Sequence, residues 1–475
     1  MDTTGYTPEE PIAAVATALV PSALGIVRAS GKGCIELVSH VFSRPAALCA
    51  AAGNTIVYGW IKDGGHRIDE VLVSVFRAPK SFTGEDMVEI SCHGGPAVVT
   101  AVFNLLLAKG FRRAQRGEFT FRAYINGKTD LTRAEAVREI IDSRTDAGRG
   151  RAAGRLAGDL YSEIDGIKKL VVDTLAAIEV EIEYPEDEET IADAFDSAQL
   201  RQAADRLQTL VDSWKSEKVY QDGVRVVLCG KTNVGKSSLF NALLKEDRAI
   251  VSDIAGTTRD WIESWVSFGG IPARVFDTAG LRETGDIIEQ NGVERTRDLS
   301  KDADIVLYLA DAVSGIDDDD RQFLKHCPAP VVFVWNKCDK LESSAGAEPG
   351  ALPSGTTAPL VPELTAEDFP MLRAVVHTSA KKGSGIGSLT AAVCGVITGS
   401  GGAEREQAGL GSARQEAAVK EALGCVRHAL ETSGYTLDAV VQDLEDALDS
   451  LGEVTGEVTP DDVLDSIFSH FCVGK

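Results

Sequence analysis

The chain has 475 residues, 44% of them hydrophobic, and its 72 acidic side chains outnumber 48 basic ones, which gives a formal net charge of −24. That length predicts about three domains with buried cores, which excludes a short peptide module. No apolar run approaches the roughly 20 residues of a membrane-spanning helix, and the nine cysteines are scattered without a Cys-x-x-Cys pair. The segment 1–10 is polar and acidic, unlike a signal peptide. We therefore expect a soluble cytoplasmic protein with reduced thiols.

The negative charge bears on nucleic acids, because the chain as a whole repels a polyanion. Any RNA contact must therefore use a local basic surface or a partner. The best local candidate is Arg112–Arg155, in which basic residues outnumber acidic ones. A solvated helix face explains the same composition equally well, so both interpretations stay open.

Residues 1–125 alternate short β-rich segments with turn signals and finish in an apolar helix. The predicted strands and helix are Ile12–Val15, Gly25–Val27, Thr55–Trp60, Val71–Phe76, Met87–Cys92 and Pro96–Leu107. The pattern predicts a compact N-terminal α+β domain.

Apolar residues then take helical spacing in two blocks, residues 126–220 and 399–475. We expect the two blocks to form one discontinuous helical domain. Residues 221–398 would then be inserted in a surface loop, since a domain whose termini lie close together tolerates such a position. Two separate helical domains are the alternative.

The inserted segment contains Gly230–Ser237, which fits the pattern Gly-x-x-x-x-Gly-Lys-Ser at every fixed position. An apolar strand, Val226–Leu228, precedes it and a helix, Ser238–Leu244, follows it. Backbone N–H groups of such a loop close around phosphates, Lys236 can reach the β- and γ-phosphates, and the Ser237 hydroxyl can ligate Mg²⁺. A glycine-rich turn in an ordinary α/β core is the alternative, and the flanking elements weigh against it.

Three further motifs each follow an apolar strand. Asp277–Gly280 follows Phe276, where an aspartate can hold Mg²⁺ through water. Asn336–Asp339 follows Val331–Val334 and ends in a carboxylate able to accept two hydrogen bonds from a guanine edge, a donor pair that adenine lacks. Ser379–Lys381 is expected to close over the base. Motifs in this order, at the carboxyl edge of an open sheet, resemble those of translation-factor-like GTPases, so we predict GTP as the nucleotide.

Six short motifs lie outside the inserted segment: Gly25–Gly31, Ser81–Asp86, His93–Pro96, Gly117–Thr120, Asn126–Lys128 and Phe471–Lys475. Together they resemble the tRNA-modification GTPase family MnmE/TrmE, and the similarity covers nearly the whole chain. The resemblance implies a multidomain α/β fold. An N-terminal α+β folate-binding and dimerisation domain (residues 1–125) would be joined to a helical domain in two parts (126–220 and 399–475), with an inserted Ras-like P-loop G domain (221–398).

By this resemblance the chain forms a homodimer and binds a reduced folate of the 5-formyl-tetrahydrofolate type. The matching positions are Arg28, Glu85, Lys128 and Lys475. Arginine and lysine can pair with the glutamate carboxylates of folate, while a glutamate can accept hydrogen bonds from the pterin. Taken alone, each is equally well explained as a surface charge.

The resemblance also implies a reaction. With a flavoprotein partner, MnmG (GidA), in a heterotetramer, such proteins add an aminomethyl or carboxymethylaminomethyl group to C5 of the wobble uridine of certain tRNAs, with folate as the one-carbon donor. Cys472 matches the C-terminal cysteine of the family and is a candidate nucleophile. A small apolar contact beside Phe468 and Phe471 is the more ordinary interpretation of Cys472.

Leu281 stands where Ras-type enzymes carry the glutamine that orients the attacking water, and leucine cannot do that. The resemblance implies that Glu289 orients the water and that K⁺ takes the charge-stabilising role. Arg282 closely follows the motif Asp277–Gly280, and from that position we expect it to support the switch. The K⁺ ligands would be Asn233, Ser252, Ile254 and Thr257, and the Mg²⁺ ligands Ser237 and Thr258. The catalytic candidates are Asn233, Lys236, Arg282, Glu289 and Cys472.

The expected GTP contacts combine the four motifs with the segment matching switch I. They are Asn233, Val234, Gly235, Lys236, Ser237, Ser238, Ser252, Asp253, Ile254, Ala255, Gly256, Thr257, Thr258, Asp277, Thr278, Ala279, Gly280, Asn336, Lys337, Asp339, Ser379, Ala380 and Lys381. Two functions compete: a tRNA-modifying enzyme whose GTPase cycle drives a conformational step, and a regulatory or ribosome-assembly GTPase acting as a binding switch. The folate motifs and the C-terminal Cys-Val-Gly-Lys favour the first, because a switch needs neither.

Overall fold

The computed structural model describes residues 10–183, 197–246, 262–277, 301–343, 364–399, 409–432 and 437–475. Contacts divide the chain into two compact units. The first consists of Met1–Arg138, Gly154–Val211 and Leu410–Lys475, and the second of Glu139–Ala153 and Asp212–Gly409.

The N-terminal part of the first unit is built on a six-stranded sheet with the order β3-β4-β5-β2-β1-β6. Its elements are β1 (Ile12–Val15), β2 (Ser22–Ser30), α1 (Cys34–Ser39), α2 (Pro45–Cys49), β3 (Thr55–Asp63), β4 (His66–Phe76), β5 (Met87–Gly94), α3 (Pro96–Ala108), β6 (Arg112–Arg113) and α4 (Glu118–Ile125). Side chains alternate between the two faces of each strand. The inward set, with Val73, Ile90 and Val27 fully buried, packs against α1 and α3.

The helices that follow are α5 (Leu131–Asp142), α6 (Asp146–Ala157), α7 (Asp159–Glu183) and α8 (Ser197–Asp222). The C-terminal helices are α13 (Ala413–Thr432), α14 (Leu437–Thr455) and α15 (Asp461–Ser469). Helix α14 packs against both α7 and α13. The buried stripe of α7 includes Ile164, Ile167 and Val171, and that of α14 includes Val440 and Leu444. Spacings of three and four residues place each stripe on one helix face.

The second unit contains a sheet with the order β12-β11-β10-β7-β9-β8. Its elements are β7 (Val224–Cys229), α9 (Lys236–Glu246), β8 (Ile262–Phe268), β9 (Ile271–Asp277), β10 (Ile305–Asp311), α10 (Asp318–His326), β11 (Val331–Asn336), α11 (Asp339–Ser343), β12 (Leu372–His377) and α12 (Ile386–Thr398). All neighbouring strands pair in parallel except β8, which pairs antiparallel with β9 at the edge.

Hydrophobic clusters cover both faces of this sheet. That explains why β10 and β11 are apolar at nearly every position and do not alternate. The mixed α/β class predicted from the sequence is confirmed. Among the helices that the structure describes, none is long and apolar enough to cross a lipid bilayer.

Candidate functional site

The phosphate-binding motif lies between β7 and α9, as the sequence predicts. The backbone φ is 128° at Gly230 and 102° at Gly235. A Cβ on Gly230 would lie 2.2 Å from a carbonyl oxygen of β10, and one on Gly235 would lie 2.3 Å from Nδ2 of Asn336. Both positions therefore require glycine, because a side chain would be strained by φ and would clash with its neighbours.

Lys236 lies at the centre of this loop and is 7% exposed. Its Nζ donates to the carbonyl oxygens of Gly230 at 2.6 Å and Lys231 at 2.7 Å. In P-loop proteins this ammonium group meets the β- and γ-phosphates, and the N-terminus of the following helix adds positive potential. Ser237 and Ser238 stand in the first turn of that helix, and a hydroxyl at the Ser237 position fits Mg²⁺.

Asn336 connects three of the predicted motifs. Its Nδ2 donates to the carbonyl oxygen of Val234 at 2.9 Å, and its Oδ1 accepts from the backbone N–H of Ala380 at 3.0 Å and the hydroxyl of Thr378 at 3.3 Å. The residue is 1% exposed. A buried amide with these partners fixes the phosphate loop relative to the segment expected to close over the base.

Asp339, the predicted guanine-reading residue, accepts a hydrogen bond from the hydroxyl of Ser379 at 2.6 Å. That hydrogen bond, helped by the charges of Lys382 and Lys381, lowers the pKa of the Asp339 carboxyl. The carboxylate therefore stays ionised and able to accept hydrogen bonds at neutral pH. Lys381 is exposed beside it.

Lys337 joins the same motif to the phosphate loop from the other side. Its Nζ donates to the carbonyl oxygen of Asn233 at 2.5 Å and to Oδ2 of Asp311 at 2.9 Å. Burial raises the pKa of Asp311, but the hydrogen bonds from Lys337 and from the backbone of Val313 outweigh it, so the pKa lies below its usual value. The sequence analysis missed Asp311, although an acid at the end of an apolar strand was a usable indication.

A second ion pair that the sequence did not indicate holds the loop at Lys231. Its ammonium group contacts Asp317 and lies 3.2 Å from Oδ2 of Asp320. Asp317 is also the N-cap of α10, where it accepts from the backbone of Asp319 and Asp320. Its hydrogen bond with Lys231 lowers the pKa of Asp317 to about 2.

Asp277 ends β9, and its backbone pairs with Leu228 at the end of β7, so it lies at the same edge of the sheet as the phosphate loop. The other predicted residues of this site lie outside the described residues, and their assignments remain predictions. They are Ser252, Asp253, Ile254, Ala255, Gly256, Thr257, Thr258, Thr278, Ala279, Gly280, Arg282 and Glu289.

The residues matching the folate positions lie in the first unit. Arg28 donates through Nη1 to the carbonyl oxygen of Gly474 at 3.0 Å, and it pairs with Glu89 at 2.7 Å. The N–H of Phe119 donates to the carbonyl oxygen of Lys475 at 3.1 Å. The last residues of the chain therefore meet both Arg28 and the start of α4. Lys128 is exposed, and its Nζ donates to the carbonyl oxygen of Pro79 at 3.0 Å.

Glu85 is held from behind by a buried ionic network. Arg122 donates to both carboxylate oxygens of Glu85, at 3.2 and 3.0 Å, and to Glu118 at 2.9 Å. Arg112 reaches Glu118 from the other side at 2.6 Å. Neither Arg122 nor Glu118 is exposed to solvent. Nothing in the sequence indicates this network except the presence of Glu118 in the motif Gly117–Thr120.

Cys472 is exposed near the chain end, and its carbonyl oxygen accepts from the N–H of Gly117 at 3.4 Å. Phe468 and Phe471, by contrast, are buried with Phe121 in an apolar cluster. The thiol is therefore outside the apolar contact that its neighbours form.

A glycine-rich loop and its lysine lie at the carboxyl edge of a parallel sheet, and Asn336 and Lys337 join that loop to the motif predicted to read guanine. This arrangement is that of a P-loop GTPase domain. The two comparisons with known proteins assign the whole chain more closely. A family model described as the MnmE helical domain matches residues 131–472, and one described as the GTP-binding protein TrmE N-terminus matches residues 11–128.

Three proteins named tRNA modification GTPase MnmE are similar over nearly their whole lengths. The protein of Treponema denticola is 50% identical over 482 residues and that of Treponema pallidum (strain Nichols) 44% over 491 residues, with 99% of both chains covered in each case. The protein of Carboxydothermus hydrogenoformans is 40% identical over 477 residues, covering 98% of this chain and 100% of that one. The chain therefore belongs to the MnmE/TrmE family of tRNA modification GTPases.

Family membership confirms the resemblance stated from the motifs and the prediction that this chain is a GTP hydrolase. It also confirms the fold class, in which an N-terminal TrmE domain and a helical domain accompany the P-loop G domain.

Proposed function

We propose that this chain hydrolyses GTP to drive a step in tRNA modification. With a flavoprotein partner it adds an aminomethyl or carboxymethylaminomethyl group to C5 of the wobble uridine. The observation that carries the proposal is 50% identity, over 99% of both chains, to a protein named tRNA modification GTPase MnmE. The hydrogen bonds of Asn336 and Lys337 to the phosphate loop support the GTPase part.

The test is nucleoside analysis of tRNA from cells that lack this protein. We expect the modified wobble uridine to disappear and to return with the wild-type gene. Lys236→Ala should fail to restore it, because the ammonium group at the phosphates is lost. Lys325→Ala, a change of equal charge on the exposed surface of α10, should restore it. Unchanged nucleosides in the deletion strain would favour a binding-switch GTPase with another target.

The proposed one-carbon donor is a reduced folate of the 5-formyl-tetrahydrofolate type, held by Arg28, Glu85, Lys128 and Lys475. Two features support it: Arg28 contacts the backbone of the terminal segment, and Nη1 of Arg122 donates to both carboxylate oxygens of Glu85. A cation beside the chain end can pair with folate carboxylates, and an oriented carboxylate can accept from the pterin.

Lys475→Ala should weaken folate binding, since the ammonium group that would pair with a folate carboxylate is lost, while the backbone carbonyl that accepts from the N–H of Phe119 stays in place. Isothermal titration with 5-formyl-tetrahydrofolate measures the effect. Lys109→Ala, which removes one exposed lysine elsewhere, is the matched control. Equal affinity in the wild type and in Lys475→Ala would contradict its assignment.

We also propose that hydrolysis depends on K⁺, bound by Asn233 together with Ser252, Ile254 and Thr257, with Glu289 orienting water. Asn233 is exposed at the loop, has a φ of 62°, and is held through its carbonyl oxygen by Lys337. An amide oxygen is a hard ligand suited to an alkali cation. A cation bound there would supply the positive charge that an arginine finger supplies in other GTPases.

Replacing KCl with NaCl at equal ionic strength should slow turnover at least tenfold with little change in GTP affinity. Screening is the same in both salts, so the comparison isolates the ion. Asn233→Ala should remove the difference between the salts, and Glu289→Ala should slow hydrolysis in both. Equal wild-type rates in the two salts would rule out the cation mechanism and make Arg282 the leading candidate.

The proposed assembly is a homodimer that joins the flavoprotein in a heterotetramer, and Cys472 is the candidate nucleophile. Exposure of the Cys472 thiol supports access to a substrate. Cys472→Ser should abolish tRNA modification while GTP hydrolysis continues. Full modification by the serine variant would leave Cys472 without a chemical role.

A further inference from the structure

Part of the positive charge of the basic segment Arg112–Arg155 is already used in ion pairs within this chain. Five of its arginines are ion-paired with carboxylates of this chain: Arg112, Arg122, Arg133, Arg149 and Arg151. RNA phosphates would have to compete with these carboxylates. Because the net charge of −24 leaves RNA contact to a local basic surface or to a partner, basic residues elsewhere in the described chain are also candidates.

A different basic site lies in the second unit, where α8 ends and β7 begins. A cavity of about 670 Å³ opens there. Its lining includes the cations Lys215, Lys218, Arg225 and Arg274, the carboxylates Asp222 and Asp304, and the aromatic ring of Trp265. A second cavity of about 510 Å³ adjoins it and shares Asp222 and Trp265. We call the first of these the basic cavity.

The strand register explains how the charges come together. Trp265 on β8 pairs with Arg274 on β9, and Arg274 pairs with Arg225 on β7, so the three residues form a row across the sheet. Both guanidinium groups lie over the ring of Phe276, with Cζ 5.6 Å from its centroid for Arg225 and 5.3 Å for Arg274.

The remaining cations come from α8. Lys215 and Lys218 are three residues apart, which places them on one helix face, and both are exposed. Trp265 on one wall of the cavity is covered by the guanidinium of Arg144, whose Cζ is 4.1 Å from the ring centroid. The carboxylate of Asp304 accepts a hydrogen bond from the backbone N–H of Arg225 at 2.7 Å, and the four cations of the lining outnumber its two carboxylates.

Cations arranged along a groove with an aromatic wall are the features by which proteins bind nucleic-acid backbones. We propose that the basic cavity binds phosphate groups of the tRNA backbone, an inference that rests on the proposed function in tRNA modification. Exposed lysines on the helix and arginines on neighbouring strands suit a ligand whose phosphates repeat at regular intervals. The contacts are to the backbone, so they position the RNA without reading its sequence.

The test measures tRNA affinity of the full-length protein at several KCl concentrations. Each phosphate contact contributes a slope of about 0.7 to 0.9 in log K against log salt. Lys215→Ala with Lys218→Ala should therefore lower the slope by about 1.4 to 1.8 and weaken binding about 25- to 60-fold at 0.1 M salt. The control, Lys109→Ala with Lys325→Ala, removes the same charge from exposed positions on other elements and should leave the slope unchanged.

GTP hydrolysis serves as the folding control and should be equal in all of these proteins. Equal slopes for the wild type and the α8 variant, or no tRNA binding by the wild type, would overturn the inference. So would weaker binding of the flavoprotein with unchanged tRNA binding, because the cavity would then serve an acidic protein. None of these outcomes affects the nucleoside analysis of the deletion strain, so failure of the inference is distinguishable from failure of the proposed function.

Discussion

Arg122→Met should loosen the N-terminal part of the first unit, because it removes one member of a buried ionic network. Arg122 is not exposed, Glu118 is 1% exposed, and the side chain of Glu85 is 11% exposed. Methionine fills similar volume but donates no hydrogen bond. Removing one partner of a buried pair costs about 3 to 5 kcal/mol, because the remaining charge stays buried. Arg112 still reaches Glu118, which favours the lower end of that range.

Native-state hydrogen exchange with mass spectrometry is the suitable assay, because a multidomain chain does not unfold in two states. A cost of about 3 to 5 kcal/mol corresponds to exchange about 150- to 5,000-fold faster in α4 and β2. Peptides of the G domain provide an internal control. The matched variant is Arg149→Met, whose pair with Asp146 has side chains 59% and 97% exposed. Such a pair contributes little, so exchange should hardly change.

The loss of stability caused by Arg122→Met should also depend on pH. Burial raises the pKa of Glu118, but hydrogen bonds from Arg112 and from the backbone of Gln115, together with the charges of Arg122 and Arg112, outweigh it and lower the pKa below its usual value. A carboxyl with a depressed folded pKa stabilises the protein fully above its unfolded pKa, and that contribution is lost as pH falls from the unfolded toward the folded pKa. The difference between wild type and Arg122→Met should therefore persist well above the unfolded pKa of glutamate, about 4.3, and shrink only as pH falls below it. Less than tenfold faster exchange at pH 7 would refute the argument.

Three further variants test other contacts. Asp339→Asn should shift nucleotide preference from guanine toward xanthine, because an amide replaces the carboxylate that accepts the guanine donors; unchanged GTP affinity in a competition assay would contradict the assignment. Gly117→Ala should loosen the packing of α15 and the chain end, because φ at this position is 68° and a Cβ would lie 2.7 Å from the carbonyl oxygen of Phe468. The expected loss of stability is about 1 to 3 kcal/mol, measured as faster hydrogen exchange in residues 461–475. Tyr308→Phe should destabilise α10 by about 1 to 3 kcal/mol, since Asp320 loses the buried hydrogen bond of 2.5 Å that the Tyr308 hydroxyl makes with it. An unchanged thermal transition would show that water replaces the hydroxyl.

The phosphate loop, the guanine motif and the parallel strands between them were predictable from sequence because each depends on residues close together in the chain. Glycine spacing reports backbone conformation, as the positive φ values of Gly230 and Gly235 show. An apolar strand buried on both faces is also a local pattern, and β10 and β11 carry it. Such features need no knowledge of distant contacts.

The contacts that hold the motifs in place could not be predicted, because their partners are far apart in sequence. Lys231 meets Asp317 across 86 residues, and Arg122 meets Glu85 across 37. An isolated charge gives no indication of its partner, and most charges lie on the surface. The antiparallel edge strand β8 was not predicted for a different reason. Apolar and polar residues alternate too weakly in its seven residues, IESWVSF, to indicate a strand.

The fixed contacts predict that nucleotide binding can be separated from the proposed cation-dependent hydrolysis. Asn336 ties the phosphate loop through buried hydrogen bonds to the segment expected to close over the base, whereas Asn233 is exposed. Asn336→Ala leaves the carbonyl oxygen of Val234 and the N–H of Ala380 without this partner, which costs about 2 kcal/mol or more. GDP and GTP should then bind about 30-fold more weakly, equally in KCl and NaCl. Asn233→Ala should instead leave GDP affinity unchanged in both salts and alter only turnover. Loss of GDP affinity in Asn233→Ala would mean that the loop residue supports binding, and the division between a preformed binding site and a cation-dependent step would be wrong.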